Sequence, residues 1–127
     1  MGRNFRNNKA WILADNLVVL VYRMTKSFPK EETYGLVSQM RRSAISVASN
    51  IVEGCARESK KDNLRFLYIA LASLTELEYH FHISKRLNYL DENCFRELRS
   101  LQKETAYALD GLIKSVQDEL VNFPFKS

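Results

Sequence analysis

The sequence predicts an all-α protein, an antiparallel up-down-up-down bundle of four helices in one domain. Three observations carry this. Apolar residues recur at steps of three and four through four separate segments, the mark of amphipathic helix. The breaks between those segments are short, which makes successive helices antiparallel neighbours. The 127 residues include only four Gly and two Pro, too few for the many turns of an all-β fold.

Helix one is expected from Asn8 to Ser27, its stripe marked by Leu13, Leu17, Leu20, Val21, Met24 and Phe28. The run LVVLVY has strand propensity, and the longer helical period around it decides for helix. Pro29 ends the segment, because proline disfavours helical backbone at the residue before it. The same Pro29 suits the first position of helix two, with Glu31 and Glu32 near that helix's positive end. Val37, Met40, Ala44, Val47, Ala48, Ile51 and Cys55 then share an arc of about 100°. Gln39, Ser43, Ser46, Asn50, Glu53 and Arg57 share the opposite arc, polar yet short-chained through its middle.

Helix three is expected from Ser59, where S-K-K-D fits a capping box. Leu64, Leu67, Tyr68, Leu71, Leu74, Leu77, Phe81 and Leu87 are joined on it by Phe66, Ile69, Ala70, Tyr79 and Ile83. That arc is wider than one neighbour covers, so this helix is either central or also buried between subunits. NYLDEN reads as a turn, with Asp91 the cap of helix four. Phe95, Leu98, Leu101, Thr105, Leu109, Leu112, Val116 and Leu120 mark the last helix, and the tail NFPFKS leaves it near Pro124. A single domain thus spans residues 1–127, with flexible ends at about 1–7 and 122–127.

An apolar share of 46% and a charged share of 27% suit a soluble globular protein. The longest apolar run, Leu17 to Tyr22, is too short for a bilayer. MGRNFRNNKAW carries no apolar signal core, and MGRNFR lacks the Ser or Thr of a myristoylation pattern. Cys55 and Cys94 provide no disulfide framework. A cytoplasmic protein with reduced thiols is the expectation. The net charge of +4 is uneven: residues 1–30 hold six basic side chains against Asp15 alone, while residues 91–127 hold seven acids and five bases. Such asymmetry fits polyanion binding and complementary subunit surfaces equally.

A family signature runs along the chain. It comprises Phe28-Pro29, Glu32-x-Tyr34-Gly35-Leu36-x-x-Gln39, Arg42-Ser43-Ala44 and Ser49-Asn50-Ile51-x-Glu53-Gly54-x-x-Arg57. Phe66-Leu67-x-x-Ala70-x-x-Ser73-x-x-Glu76-Leu77 continues it. Over about residues 10–118 the chain resembles the bacterial four-helix-bundle proteins called 23S ribosomal RNA intervening-sequence proteins. The resemblance implies a left-handed bundle, assembly as a ring-like homopentamer and a bacterial cytoplasmic setting. The family name reflects reading frames inside intervening sequences of ribosomal RNA genes and establishes no activity. A distant branch, the accessory variability proteins of diversity-generating retroelements, consists of basic pentamers that bind nucleic acid and a reverse transcriptase. A charge of +4 is modest beside that branch, which therefore serves only as an analogy.

Asn50, Glu53, Gly54 and Arg57 read either as a polar ligand site or as a packing motif in which Gly54 and the serines admit another backbone. Packing is preferred, because Gly inside a helix costs about 0.5–1 kcal/mol and close approach is a reason to keep it. Ser43, Ser46, Asn50, Glu53 and Gly54 are accordingly assigned to packing or assembly. Glu53 and Arg57 are also spaced for a local ion pair. Arg41, Arg42, Arg57, Lys60, Lys61 and Arg65 are the candidate nucleic-acid contacts, against the plainer reading of a solvated helix junction partly neutralised by Glu58 and Asp62. Arg41 lies at the edge of the apolar arc, where it must snorkel or pair with a carboxylate, on this or another subunit.

TELEYHFHISK is the one stretch resembling metal chemistry, and it lacks the Glu-x-x-His spacing and second His-bearing helix of a di-iron bundle. No G-x-S-x-G, P-loop or dinucleotide fingerprint occurs, and neither cysteine has a base beside it in sequence. No catalytic residue, metal or cofactor is expected. The chain reads as a non-enzymatic, homo-oligomeric scaffold or adapter for RNA or a ribonucleoprotein. The alternative is a protein-binding accessory assembly with no nucleic-acid affinity of its own.

Overall fold

The computed structural model describes residues 4–122. Among them are four helices, two 3-10 turns and no strand: α1 (Lys9–Thr25), α2 (Leu36–Ala56), α3 (Lys60–Arg86) and α4 (Glu92–Asn122), with turns at Phe5–Asn7 and Lys30–Glu32. The tail after Asn122, where the chain is expected to leave the helix near Pro124, lies outside the described residues, as does 1–3 of the expected flexible start.

Short polar side chains begin three of the helices by accepting from otherwise unpaired N–H groups. Asn8 Oδ1 accepts from the Trp11 amide at 3.1 Å, Ser59 Oγ from Asp62 at 3.3 Å, and Asp91 Oδ1 from Cys94 at 2.7 Å. The hydrogen bonds from Cys94 hold the Asp91 carboxyl below the usual carboxylate range. Asn88, at φ 63°, ends α3 in the left-handed conformation that Asn tolerates, and the Tyr89 amide turns back to Ser84 O at 2.9 Å.

The start of α2 differs from the sequence expectation. Pro29 precedes the 3-10 turn Lys30–Glu32 rather than opening the helix, which begins at Leu36. Glu32 explains the delay. One carboxylate oxygen accepts from the Leu36 amide at 3.2 Å and the other from the Tyr89 hydroxyl at 2.9 Å, so this residue caps α2 from outside. Phe28 packs on the Tyr89 ring at 5.2 Å between centroids, tying the α1–α2 and α3–α4 connections together.

Each helix runs closest to two others. Close backbone approaches join α1 to α2, α2 to α3, α3 to α4 and α4 to α1, whereas among the described residues the α1–α3 and α2–α4 diagonals are wider. Pairings between α2 and α3 run in opposite numerical order, Met40 with Ser84, Ser46 with Ser73, and Gly54 with Asn63. The same reversal holds between α3 and α4, where Lys85 meets Glu92, Glu78 meets Arg99 and Lys60 meets Glu119.

All four helices feed one core, whose fully buried side chains include Leu17, Met40, Ile51, Leu74, Phe81 and Leu109. Each such side chain contributes about 1.5–3 kcal/mol against exposure to water. The innermost line of α1 is Ala10, Ala14, Leu17, Val21 and Thr25, with Leu13, Leu20 and Met24 only half-buried to one side. Tyr68 and Leu87, both expected on the apolar arc of α3, are exposed. Leu87 is the residue at which α3 ends, and Tyr68 leans outward to the Gln117 side chain of α4.

Gly54 lies inside α2 and is buried against α3. A Cβ there would stand 3.0 Å from Asn63 Oδ1, 3.2 Å from Asn63 O and 3.4 Å from Phe66 Cβ. The carbonyl belongs to the α3 main chain and cannot swing aside. Gly54→Ala therefore lowers unfolding free energy by about 1–2 kcal/mol, overpacking outweighing the gain in helix propensity. Urea denaturation measures this, and an unchanged or raised midpoint would show that α2 and α3 have room to separate.

Candidate nucleic-acid interface

The six basic candidates fall into two groups. Arg41 and Arg42 lie near the start of α2, whereas Arg57, Lys60, Lys61 and Arg65 surround the α2–α3 turn. About 22 Å of helix separates Arg42 from Arg57, at 1.5 Å per residue. One continuous patch does not form.

Arg41 is committed inside the chain. Its Nε donates to Thr25 Oγ1 at 3.0 Å and a terminal nitrogen donates to Tyr22 O at 3.3 Å, with the guanidinium 4.4 Å from the Tyr22 ring centroid. These carbonyl and hydroxyl acceptors belong to the last turn of α1, whose carbonyls lack partners within the helix. A cation there also meets the negative end of the helix dipole. Of the two expectations for Arg41, snorkelling or a carboxylate partner, the structure shows neither a carboxylate nor a free head group, but the end of a neighbouring helix. Arg42 is exposed and makes no ion pair among the described residues.

At the α2–α3 turn, Arg57 pairs with Glu53 at 2.9 Å, Arg65 meets Asp62 at 3.8 Å, and Lys60 reaches Glu119 of α4 at 3.2 Å. Lys61 is exposed with no such partner among the described residues. Arg57 and Arg65 both lie against Phe66, their guanidinium carbons 4.7 and 4.6 Å from its centroid. Sequence reasoning missed Phe66 as part of this surface. The only sign of it was an aromatic ring beside Arg65, one turn into a capped helix.

The short-chained polar arc of α2 faces α3. Ser43 and Gly54 are buried, and Ser46 Oγ meets Ser73 Oγ at 2.7 Å. Asn50 is half-buried and donates to Ser46 O at 2.8 Å and Ser46 Oγ at 3.0 Å. Glu53 is exposed and engaged by Arg57.

His80 is 4% exposed on α3. Its Nε2 lies 3.4 Å from Glu76 Oε2, while Nδ1 meets no hydrogen-bonding group among the described residues. Burial pushes the imidazole below its ordinary range, and the Glu76 carboxylate opposes this in part. Among the described residues, no three His, Cys, Asp or Glu side chains are grouped so as to hold a metal ion. The Cys94 thiol is raised above its usual range by burial and by its neighbour Asp91, the opposite of what activates a nucleophile. No helix among the described residues is long and apolar enough to cross a membrane.

Residues 6–111 match the family model of the 23S rRNA-intervening sequence protein. The chain belongs to that family. A crystal structure of a protein of unknown function from the S23 ribosomal protein family of Bacteroides thetaiotaomicron superposes with a TM-score of 0.77 at 23% identity. The match covers 83% of this chain and 98% of that one, and it shows the shared fold. No curated protein matches the chain.

Two outcomes follow for this 23S rRNA-intervening sequence family member. Arg41→Met keeps an apolar stem but loses the hydrogen bonds to α1, so stability falls by about 1.5–3 kcal/mol. Thermal unfolding checks this, and a loss under half the lower figure would mean the α1 end is satisfied otherwise. The second concerns pH. Because folding holds His80 below its ordinary 6.5, the unfolded chain takes up the proton first. The stability His80 confers is complete above that value and is lost as pH falls below it. Glu76→Gln steepens this loss and His80→Phe flattens it, in denaturation midpoints compared across mildly acidic pH.

Proposed function

We propose that the protein is a non-enzymatic, homo-oligomeric scaffold or adapter that associates with RNA or a ribonucleoprotein. In this reading the four helices form a left-handed up-down-up-down bundle, assembled as a homopentamer in the bacterial cytoplasm. The observation that carries the reading is the pair of guanidinium groups held against Phe66 beside exposed Lys61. Guanidinium groups kept on an aromatic ring are positioned for phosphate oxygens before any ligand arrives. Their present partners Glu53 and Asp62 are exposed, and such surface pairs are worth about 0–1 kcal/mol, so exchange for phosphate costs little. A single turn of this kind binds weakly. Several copies in one ring turn weak contacts into avidity.

A second reading is a protein-binding accessory assembly without nucleic-acid affinity. The exposed apolar side chains Ile69 and Tyr79 on α3 favour it.

Fluorescence anisotropy with a structured RNA across a salt series separates the two. Polyanion binding weakens steeply as salt rises, and each phosphate contact removed by Lys61→Gln or Arg65→Gln reduces the slope of log affinity against log salt by about 0.7–0.9. Arg41→Met leaves the slope unchanged. No binding even at low salt would reject the RNA reading and favour a protein partner.

A further inference from the structure

The basic α2–α3 turn has a counterpart at the same end of the bundle. The 3-10 turn Phe5–Asn7 is closed on one side by Asn4 Oδ1, which accepts from the Arg6 amide at 3.1 Å. On the other side the Asn8 amide donates to Phe5 O at 2.9 Å. Phe5 stands edge-on to Trp11 with ring centroids 4.9 Å apart, and the Arg6 guanidinium carbon lies 4.7 Å from the Phe5 centroid. Trp11 shares a groove with Val52, and the turn runs close to both α1 and α2. Phe5 and Arg6 therefore flank the end of α2, where Arg57 begins the other basic unit.

The two units have the same build. In each, arginine lies on a half-buried phenylalanine, Arg6 on Phe5 in one, Arg57 and Arg65 on Phe66 in the other. All three arginines are exposed. A guanidinium held flat in this way keeps N–H donors at its edge for phosphate, and its plane suits stacking on an unpaired base. Arg6, Lys9 and Lys61 are exposed and make no ion pair among the described residues.

Charge pattern chooses between forms of nucleic acid. Along the α2–α3 turn cations alternate with carboxylates, Glu53 before Arg57, Glu58 before Lys60 and Lys61, Asp62 before Arg65. An A-form duplex presents rigid rows of phosphates and keeps its bases stacked inside. Laid on this end, a rigid row meets carboxylates as well as cations and gains nothing from the planar groups. A flexible strand sets its phosphates at the cations and its bases on the planes.

We infer that this end of the bundle is a platform for single-stranded RNA, with the Phe5–Asn7 turn as its second half. This role rests on the RNA reading above and narrows it to unpaired strands and the loops of folded ones. It adds Phe5, Arg6 and Lys9 to the residues of the α2–α3 turn.

Fluorescence anisotropy of the full chain at low salt compares oligo(U) of about 12 nucleotides, a usual single-strand footprint, with a blunt RNA duplex of equal length. Oligo(U) binds at least about fivefold tighter, although the duplex carries twice the phosphate. Arg65→Lys keeps the charge and loses the plane. Affinity for oligo(U) then falls at least about fivefold, while its slope against log salt stays unchanged. Phe66→Leu does the same and Phe66→Trp does not, with circular dichroism confirming that each variant stays helical. Arg6→Gln lowers the slope by about 0.7, as the loss of one single-strand phosphate contact does. Equal affinity for both forms, or oligo(U) affinity unchanged in Arg65→Lys and Phe66→Leu, would overturn the inference and leave the RNA reading standing. An unchanged slope in Arg6→Gln would overturn the two-part platform. Failure to bind either form at low salt would overturn the RNA reading as well.

Discussion

Where Gly54 of α2 passes Asn63 of α3 a methyl group would be crowded, its carbon 3.0 Å from Asn63 Oδ1 and 3.2 Å from Asn63 O. This contact fixes the distance between the two helices at the turn that joins them. Ser46 and Ser73 keep the distance short further along, and Ser84 meets Met40 near the other end. The large side chains of the two helices, among them Ile51, Leu67 and Leu77, fill the common core. The close approach also brings Phe66 against the end of α2, which places its ring within reach of Arg57. The basic turn therefore owes its arrangement to a glycine that carries no charge.

Much of this architecture is legible in the sequence because helical period is a local property. The four helices follow from apolar spacing, and the caps at Asn8, Ser59 and Asp91 act within three residues of themselves. The continuation of α2 through Gly54 follows from Cys55 keeping its place on the apolar arc. What the sequence hides is set by partners distant along the chain. Glu32 delays the start of α2 because it also receives the Tyr89 hydroxyl, 57 residues away. Arg41 finds the end of α1 rather than a carboxylate, and Lys60 finds Glu119 on the last helix. The surplus of apolar side chains on α3 was visible as a wide arc. The core line of α1 is less legible, because Ala10, Ala14 and Thr25 hold places on it that larger apolar residues beside them lead one to expect elsewhere.

The candidate site shows the same division. Charge and spacing singled out six basic residues, and only the folded chain sorts them by what they already hold. Arg41 spends its hydrogen-bonding capacity on a helix terminus, and Lys60 joins α3 to α4. Arg57 and Arg65 are held by exposed carboxylates and one aromatic ring, while Arg42 and Lys61 are exposed without ion pairs among the described residues. In the proposed reading a surface of this strength binds weakly on its own, and repetition of it in an assembly supplies the avidity.

Light scattering of the full-length protein, alone and with a structured RNA at low and moderate salt, tests that account most directly. It predicts an assembly several times the 14.8 kDa chain mass that grows further with RNA at low salt and returns to its own size as salt rises. A 14.8 kDa monomer that RNA leaves unchanged at low salt would contradict it.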